Sequence, residues 1–153
     1  MDFCSTIPIE IYTDGSCTGN PGKGGWGVHM CQGAATLDLC GDSAGSDTTN
    51  NRMELTAVIE ALRKIALELF SGPITILSDS RYVIDGIQKW IVGWKRSGWK
   101  TANKTPVKNE DLWRALDAAK DVLSGQIVWK WVAGHSGDPG NTAADRLARR
   151  GAL

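Results

Sequence analysis

Hydrophobic and polar residues alternate with a period of two over residues 7–13, where Ile7, Ile9 and Ile11 share one face, so this stretch predicts a strand. Two more strands are predicted over residues 26–30 and 35–40, giving an antiparallel meander in which the glycine-rich residues 15–25 form the first turn. After a polar loop over residues 42–49 the period changes. Met53, Ala57, Val58, Ala61, Leu62, Ile65 and Leu69 recur at helical spacing and predict a long amphipathic helix that Gly72-Pro73 stops. A short buried strand over 74–77 follows, then short helices over 80–88 and 90–95, and a helix after Pro106 that carries Leu112, Trp113, Leu116 and Val122. A last strand over 126–132, a loop over 133–140 and a helix over 142–150 complete the order. This order predicts an α/β fold, a five-stranded mixed sheet with helices on both faces.

Composition narrows the class. A chain of 153 residues with 42% hydrophobic content can bury one core without disulfides, so residues 1–153 are expected to form a single domain. The sequence has no apolar run of membrane-spanning length and no charged segment leading into an apolar one over residues 1–5, so the protein is expected in the cytoplasm, away from membranes. Cys4, Cys17, Cys31 and Cys40 lack CxxC spacing and read as free thiols; Cys31 and Cys40 could face each other across a hairpin, but nothing requires a bond. A net charge of zero hides an asymmetry. Lys89, Lys95, Arg96, Lys100, Lys104 and Lys108 fall within residues 89–108 with no acid among them, which suggests a basic protrusion that docks a polyanion.

Residues 22–27 satisfy GxGxxG, but the next element is a strand, so no helix N-terminus is there to meet a pyrophosphate; a turn explains the glycines better. Four carboxylates stand out, each with an ordinary explanation beside it. Asp14 before Gly15 could make a hairpin turn, although the connection looks too long for one. Glu54 could complete a capping box begun by Asn51, yet it lies in line with Val58, Ala61, Leu62 and Ile65, on the apolar side where an unpaired charge is costly. Asp79 could cap the helix after it, but it also stands at the carboxyl end of a buried strand, where α/β proteins place their chemistry. Asp145 could close a capping box from Thr142 or pair with Arg149. Together, with no cation nearby, the four form a candidate site for magnesium or manganese, whose preferred ligand is carboxylate oxygen. His135, flanked by Gly134 and Ser136-Gly137, is a candidate proton carrier, whereas His29 reads as a surface residue. Trp90, Trp94 and Trp99 alternate with the basic residues, where they either stack on sugars or bases or, for Trp90 and Trp94, form the small core of the protrusion.

With these pieces placed, the chain resembles the bacterial-type type 1 ribonuclease H family over nearly its whole length. The resemblance runs through Tyr12-Thr13-Asp14-Gly15-Ser16, residues 48–55 around Glu54, Ser78-Asp79-Ser80, and Gly134-His135-Ser136-Gly137 with Asn141 and Asp145. It implies a ribonuclease H-like fold and a metal-dependent endonuclease that cuts the RNA strand of RNA–DNA hybrids without sequence specificity, leaving 5′-phosphate and 3′-hydroxyl ends. It further implies that Asp14, Glu54, Asp79 and Asp145 hold two magnesium ions, manganese substituting, while His135 assists proton transfer or product release. Asn20, Asn50, Asn51 and Glu54 would lie near RNA 2′-hydroxyls, and Thr49 with Asn20 would hold a phosphate of the DNA strand. Trp90, Trp94, Lys95, Arg96, Trp99 and Lys100 would grip the DNA strand. The expected partner is thus the hybrid, and the expected state a monomer. Arg81 stands where relatives often carry Gln, making its substrate contact more electrostatic, and Thr142 where they usually carry Glu, which lowers the acidity around Asp145. The rival functions are a non-catalytic hybrid binder, which would be expected to lack an acid, and a DNA-cutting relative of the same fold, against which the Asn-rich segment and the basic protrusion argue.

Overall fold

The computed structural model describes residues 3–123, 127–134 and 137–153. Its elements are β1 (Ile9–Gly19), β2 (Gly22–Gln32), β3 (Ala35–Asp42), α1 (Asn50–Leu67), β4 (Ile74–Ser78), α2 (Arg81–Asp85), a π-helical turn (Gly86–Trp90), α3 (Ile91–Arg96), α4 (Glu110–Val122), β5 (Ile127–Trp131) and α5 (Pro139–Gly151). The five strands form one sheet in the order β3-β2-β1-β4-β5, antiparallel on the hairpin side and parallel from β1 to β5. This is the expected mixed α/β sheet.

Its centre is buried on both faces. Ile9, Ile11, Val28, Met30, Ile74 and Ile76 meet the Leu55, Val58, Leu62 and Ile65 stripe of α1, all of them essentially inaccessible. The other face carries α5, which lies very close because small residues meet small residues. A Cβ on Gly27 would stand 2.5 Å from the Ala144 carbonyl oxygen and the Ala148 nitrogen, and one on Gly25 would meet the chain at Ala148–Ala152.

That contact corrects the glycine expectation. Residues 15–25 are not a turn: β1 runs on through Asp14 to Gly19, β2 begins at Gly22, and the connection is the two residues Asn20-Pro21. The glycines sit in the strands because the helices need their surface bare. The boundaries of the helices differ too. Thr49, not Asn51, caps α1 by accepting from Arg52 N at 3.3 Å, and α5 starts at Pro139, three residues earlier than expected, because Asp138 accepts from Gly140 N at 2.9 Å. The two short helices expected after β4 are joined by the π-helical turn, where Gly86 lies flush against the Trp113 ring. All four cysteines are free, and Cys31 pairs across the sheet with Thr36 while Cys40 pairs with Gly27, so the two do not face each other. His29 is not a plain surface residue: its Nδ1 lies 2.5 Å from Asp38 Oδ1 and its ring abuts Tyr12. Among the described residues, no helix is long and apolar enough to cross a membrane.

Candidate active site

Parallel pairing of β1 with β4 sets Thr13 opposite Ser78, so the residues that follow them, Asp14 within β1 and Asp79 just past the end of β4, come to lie side by side. Ser80, not Asp79, caps α2, accepting from Val83 N at 3.2 Å, and so the capping explanation for Asp79 falls away. Asp14 is likewise released from any turn by its place within β1. Glu54 arrives from the first turns of α1, only 7% exposed, because Gly15 offers no side chain to hold the helix off. The Gly15 N–H then donates to Glu54 Oε1 and to Asp14 Oδ1, both at 2.9 Å. Ligand oxygens of Asp14, Glu54 and Asp79 all lie within 4.8 Å of one another.

Asp145 is not in that mutual group but hydrogen-bonds Asp14 and borders the same cleft, a space of about 360 Å³ lined also by Ser16, Cys17, Asn50, Asn51, Ser80 and Arg149. It is brought there by α5, whose N-terminal turn is moored to β1. Gly140 packs on the Tyr12 ring, and the Tyr12 phenol, pushed up to about 12 by burial and then by the Asp138 charge, hydrogen-bonds the capping carboxylate of Asp138. The expected Arg149 pairing is present, Nε to Asp145 Oδ2 at 3.2 Å, and it corrects the view of a cleft with no cation of its own.

Electrostatically the trio is under tension. Burial pushes Asp14 up to about 7, with hydrogen bonds from Glu54 and Gly15 opposing and the Asp79 charge adding to it. Glu54 is raised well above the usual carboxylate range, again by burial first and then by the Asp14 charge, and its Oε2 is buried with no hydrogen-bond partner among the described residues. Both acids are therefore held toward their protonated forms. An oxygen-only pocket of this kind, with an orphaned buried ligand atom, fits a hard divalent cation.

The tension gives a pH prediction with a definite sign. Both acids bind protons more tightly folded than unfolded, so between about pH 4 and pH 7 the native state holds more protons than the unfolded chain, and stability falls as pH rises through that window. The melting temperature of the metal-free protein should drop from about pH 5 to about pH 8. A rise over the same range would contradict the upward shifts of Asp14 and Glu54.

The comparisons agree with the geometry. The family model described as RNase H matches residues 7–153. The chain belongs to the ribonuclease H family. It is 53% identical over 143 residues to a ribonuclease H of Pseudomonas aeruginosa strain LESB58, covering 94% of this chain and 92% of that one. A ribonuclease H of Neisseria gonorrhoeae is 54% identical over 145 residues, 95% of each chain. The solved structure of LC9-RNase H1, a type 1 RNase H with the type 2 active-site motif, superposes with a TM-score of 0.83 at 34% identity, covering 99% of this chain and 74% of that one. As a member of the ribonuclease H family the chain is an endoribonuclease.

Around the carboxylates of this ribonuclease H, Asn50 and Asn51 line the cleft, and Asn20 at the hairpin tip accepts from Asn50 N at 3.2 Å, so the tip is tied to the start of α1. Arg81 lies 3.8 Å above the Trp131 ring, whose Nε1 donates to the Asp79 carbonyl at 3.1 Å. Nothing in the sequence pattern points to that stack. His135 lies outside the described residues, but Gly134 just before it is close enough to Asp79 that a Cβ there would be 3.0 Å from Oδ2.

The basic segment is built on aromatic rings. Trp94 contacts Trp90, Trp99 and Trp113 with centroids 5.9, 6.5 and 5.2 Å away, and Tyr82 Oη accepts from Trp113 Nε1 at 2.9 Å and Asn109 Nδ2 at 3.1 Å. Trp99 is buried within this cluster, Trp94 is half-buried and Trp90 is 40% exposed, so the ring most available for stacking is Trp90. Arg96 and Lys100 are exposed, while Lys95 is bound to Asp117 at 3.1 Å.

Proposed function

We propose that the chain is a single ribonuclease H domain that hydrolyses the RNA strand of RNA–DNA hybrids, without sequence preference and as a monomer, to 5′-phosphate and 3′-hydroxyl ends. Its cofactor on this reading is magnesium, with manganese able to substitute, held by Asp14, Glu54, Asp79 and Asp145. The observation that carries the reading is the convergence of Asp14, Glu54 and Asp79 from three separate parts of the chain within 4.8 Å, one oxygen of Glu54 being buried with no hydrogen-bond partner among the described residues. Divalent ions bound there would supply Lewis-acid stabilisation of the phosphoryl oxygens and a nucleophilic water at neutral pH.

The chain's own residues do the rest. Gly15 N–H fixes the Glu54 carboxyl. Asn50 and Asn51, at the N-terminal end of α1, offer amides to 2′-hydroxyls, the one feature that separates RNA from DNA at a cut site. Thr49 with Asn20 offers donors to a DNA-strand phosphate where the helix dipole favours an anion. His135, next to Gly134, is suited to carry protons to and from the cleft. Arg81, held on Trp131, supplies a charge beside Asp79. Trp90 offers a stacking face, Arg96 and Lys100 offer phosphate contacts, and Trp94 and Trp99 act chiefly by giving the protrusion its shape. Such contacts position a duplex and read no bases.

Cleavage of matched RNA–DNA, DNA–DNA and RNA–RNA duplexes, with magnesium and with a chelator, tests the reading. Cutting confined to the RNA of the hybrid and abolished by chelation is expected; no cutting would favour a hybrid binder, and cut DNA a DNA-processing relative. A second measurement isolates the protrusion. Replacing Lys95, Arg96 and Lys100 together by alanine should make the slope of log affinity against log salt shallower by roughly 2 units, since Lys95 already has Asp117 as a partner and releases less. The Michaelis constant should rise with the maximal rate largely kept. An unchanged slope would make these cations a merely solvated face.

A further inference from the structure

The cleft is not lined by acids alone. Arg149, one turn beyond Asp145 on α5, also lines it, and among the described lining residues it is the one cation. The four carboxylates therefore divide three and one. Asp14, Glu54 and Asp79 meet within 4.8 Å, while Asp145 touches Asp14 on one side and is held by the Arg149 guanidinium, 3.2 Å away, on the other.

We propose that Arg149 is a resident counter-ion that occupies Asp145 in the metal-free cleft and competes with a divalent cation for it. This rests on the metal reading given above. An arriving cation must displace that positive charge from Asp145. That charge is held loosely enough to yield: the Arg149 side chain is 65% exposed against 30% for Asp145, and an exposed pair one helical turn apart is a weak one. Arg149 can therefore swing into solvent without leaving a buried charge behind, which makes it a competitor for Asp145 and not a block. Thr142, one turn before Asp145 on α5, adds no negative charge that would tip the competition back toward the metal.

The competition predicts an affinity change whose sign a purely structural role would not produce. Magnesium chloride is titrated by calorimetry into the substrate-free full chain at about pH 8 for the wild type, Arg149→Gln and Arg149→Lys. The Gln variant should bind magnesium roughly threefold to tenfold more tightly, the effect of removing one solvated unit charge beside a divalent ion. That gain should shrink in about 0.5 M salt, where surface charges are screened. The Lys variant, which keeps the charge, should stay within about twofold of wild type. Without added metal, the Gln variant should melt no higher than wild type, because the acids lose their counter-ion. Equal magnesium affinity in wild type and Gln variant would overturn the competition, and weaker binding by the Gln variant would make Arg149 a support of the site. If wild type itself binds no magnesium, the metal reading falls, a failure that shows in the wild-type titration alone.

Discussion

Replacing Asp14 by Asn is expected to abolish cleavage of a matched RNA–DNA hybrid, lowering turnover on the order of 10³-fold or more, while hybrid binding survives. The size follows from what is lost: one ligand of a buried three-carboxylate cluster, and with it the several kcal/mol of charge stabilisation that a correctly placed divalent ion contributes. Binding survives because Asp14 lies in the middle of β1, in a different part of the fold from the Trp90–Lys100 segment. The same substitution should raise the melting temperature of the metal-free protein near neutral pH. Asp14, Glu54 and Asp79 repel one another there, and an amide at position 14 removes both a desolvated charge and the strain on its neighbours. Calorimetry should show magnesium binding lost or severely weakened. Near wild-type turnover in magnesium would mean that Asp14 is not a ligand, and a lower melting temperature would mean that the carboxyl pair is structural.

The opposite movement of activity and stability explains why the carboxylates were legible in the sequence. Glu54 lies in line with Val58, Leu62 and Ile65, where a folding argument alone would place a hydrophobe, and Asp79 follows a buried strand without capping the helix after it. Residues that break the local pattern with no local compensation are the ones whose reason lies in a site. The glycines failed as signals for the complementary reason. Gly24, Gly25 and Gly27 match turn chemistry, and turn chemistry is local, whereas their actual role is to let α1 and α5 press onto β2 from opposite faces, which only tertiary packing shows. Thr49 rather than Asn51 caps α1 because the chain leaves its extended conformation two residues earlier than periodicity alone indicates. Arg149 was visible as a possible partner of Asp145, but its place in the cleft depends on α5 lying close enough to the sheet, and that closeness is again a matter of Gly25 and Gly27.

Gly15→Ala carries the point from packing to chemistry. Gly15 needs no unusual backbone angle; its constraint is space, since a Cβ there would stand 2.6 Å from the Met53 carbonyl carbon and run into the Glu54 nitrogen. These atoms are the rigid start of α1, not the far end of a flexible side chain, so the N-terminal turns of α1 must move off the sheet. Overpacking of this kind costs about 1–3 kcal/mol, and for a chain of this size each kcal/mol lowers the melting temperature by roughly 2–4 °C. The catalytic cost should exceed the stability cost. The displaced turn carries Glu54, whose Oε1 accepts from Gly15 N–H at 2.9 Å, and a shift of about 1 Å in a reacting geometry can cost on the order of 10²-fold in rate. Because the ligands are moved and not removed, higher magnesium should recover part of the rate in Gly15→Ala, as it should not in Asp14→Asn. A Gly15→Ala protein with wild-type turnover at low magnesium would show that the close approach of β1 to α1 does not set the Glu54 position.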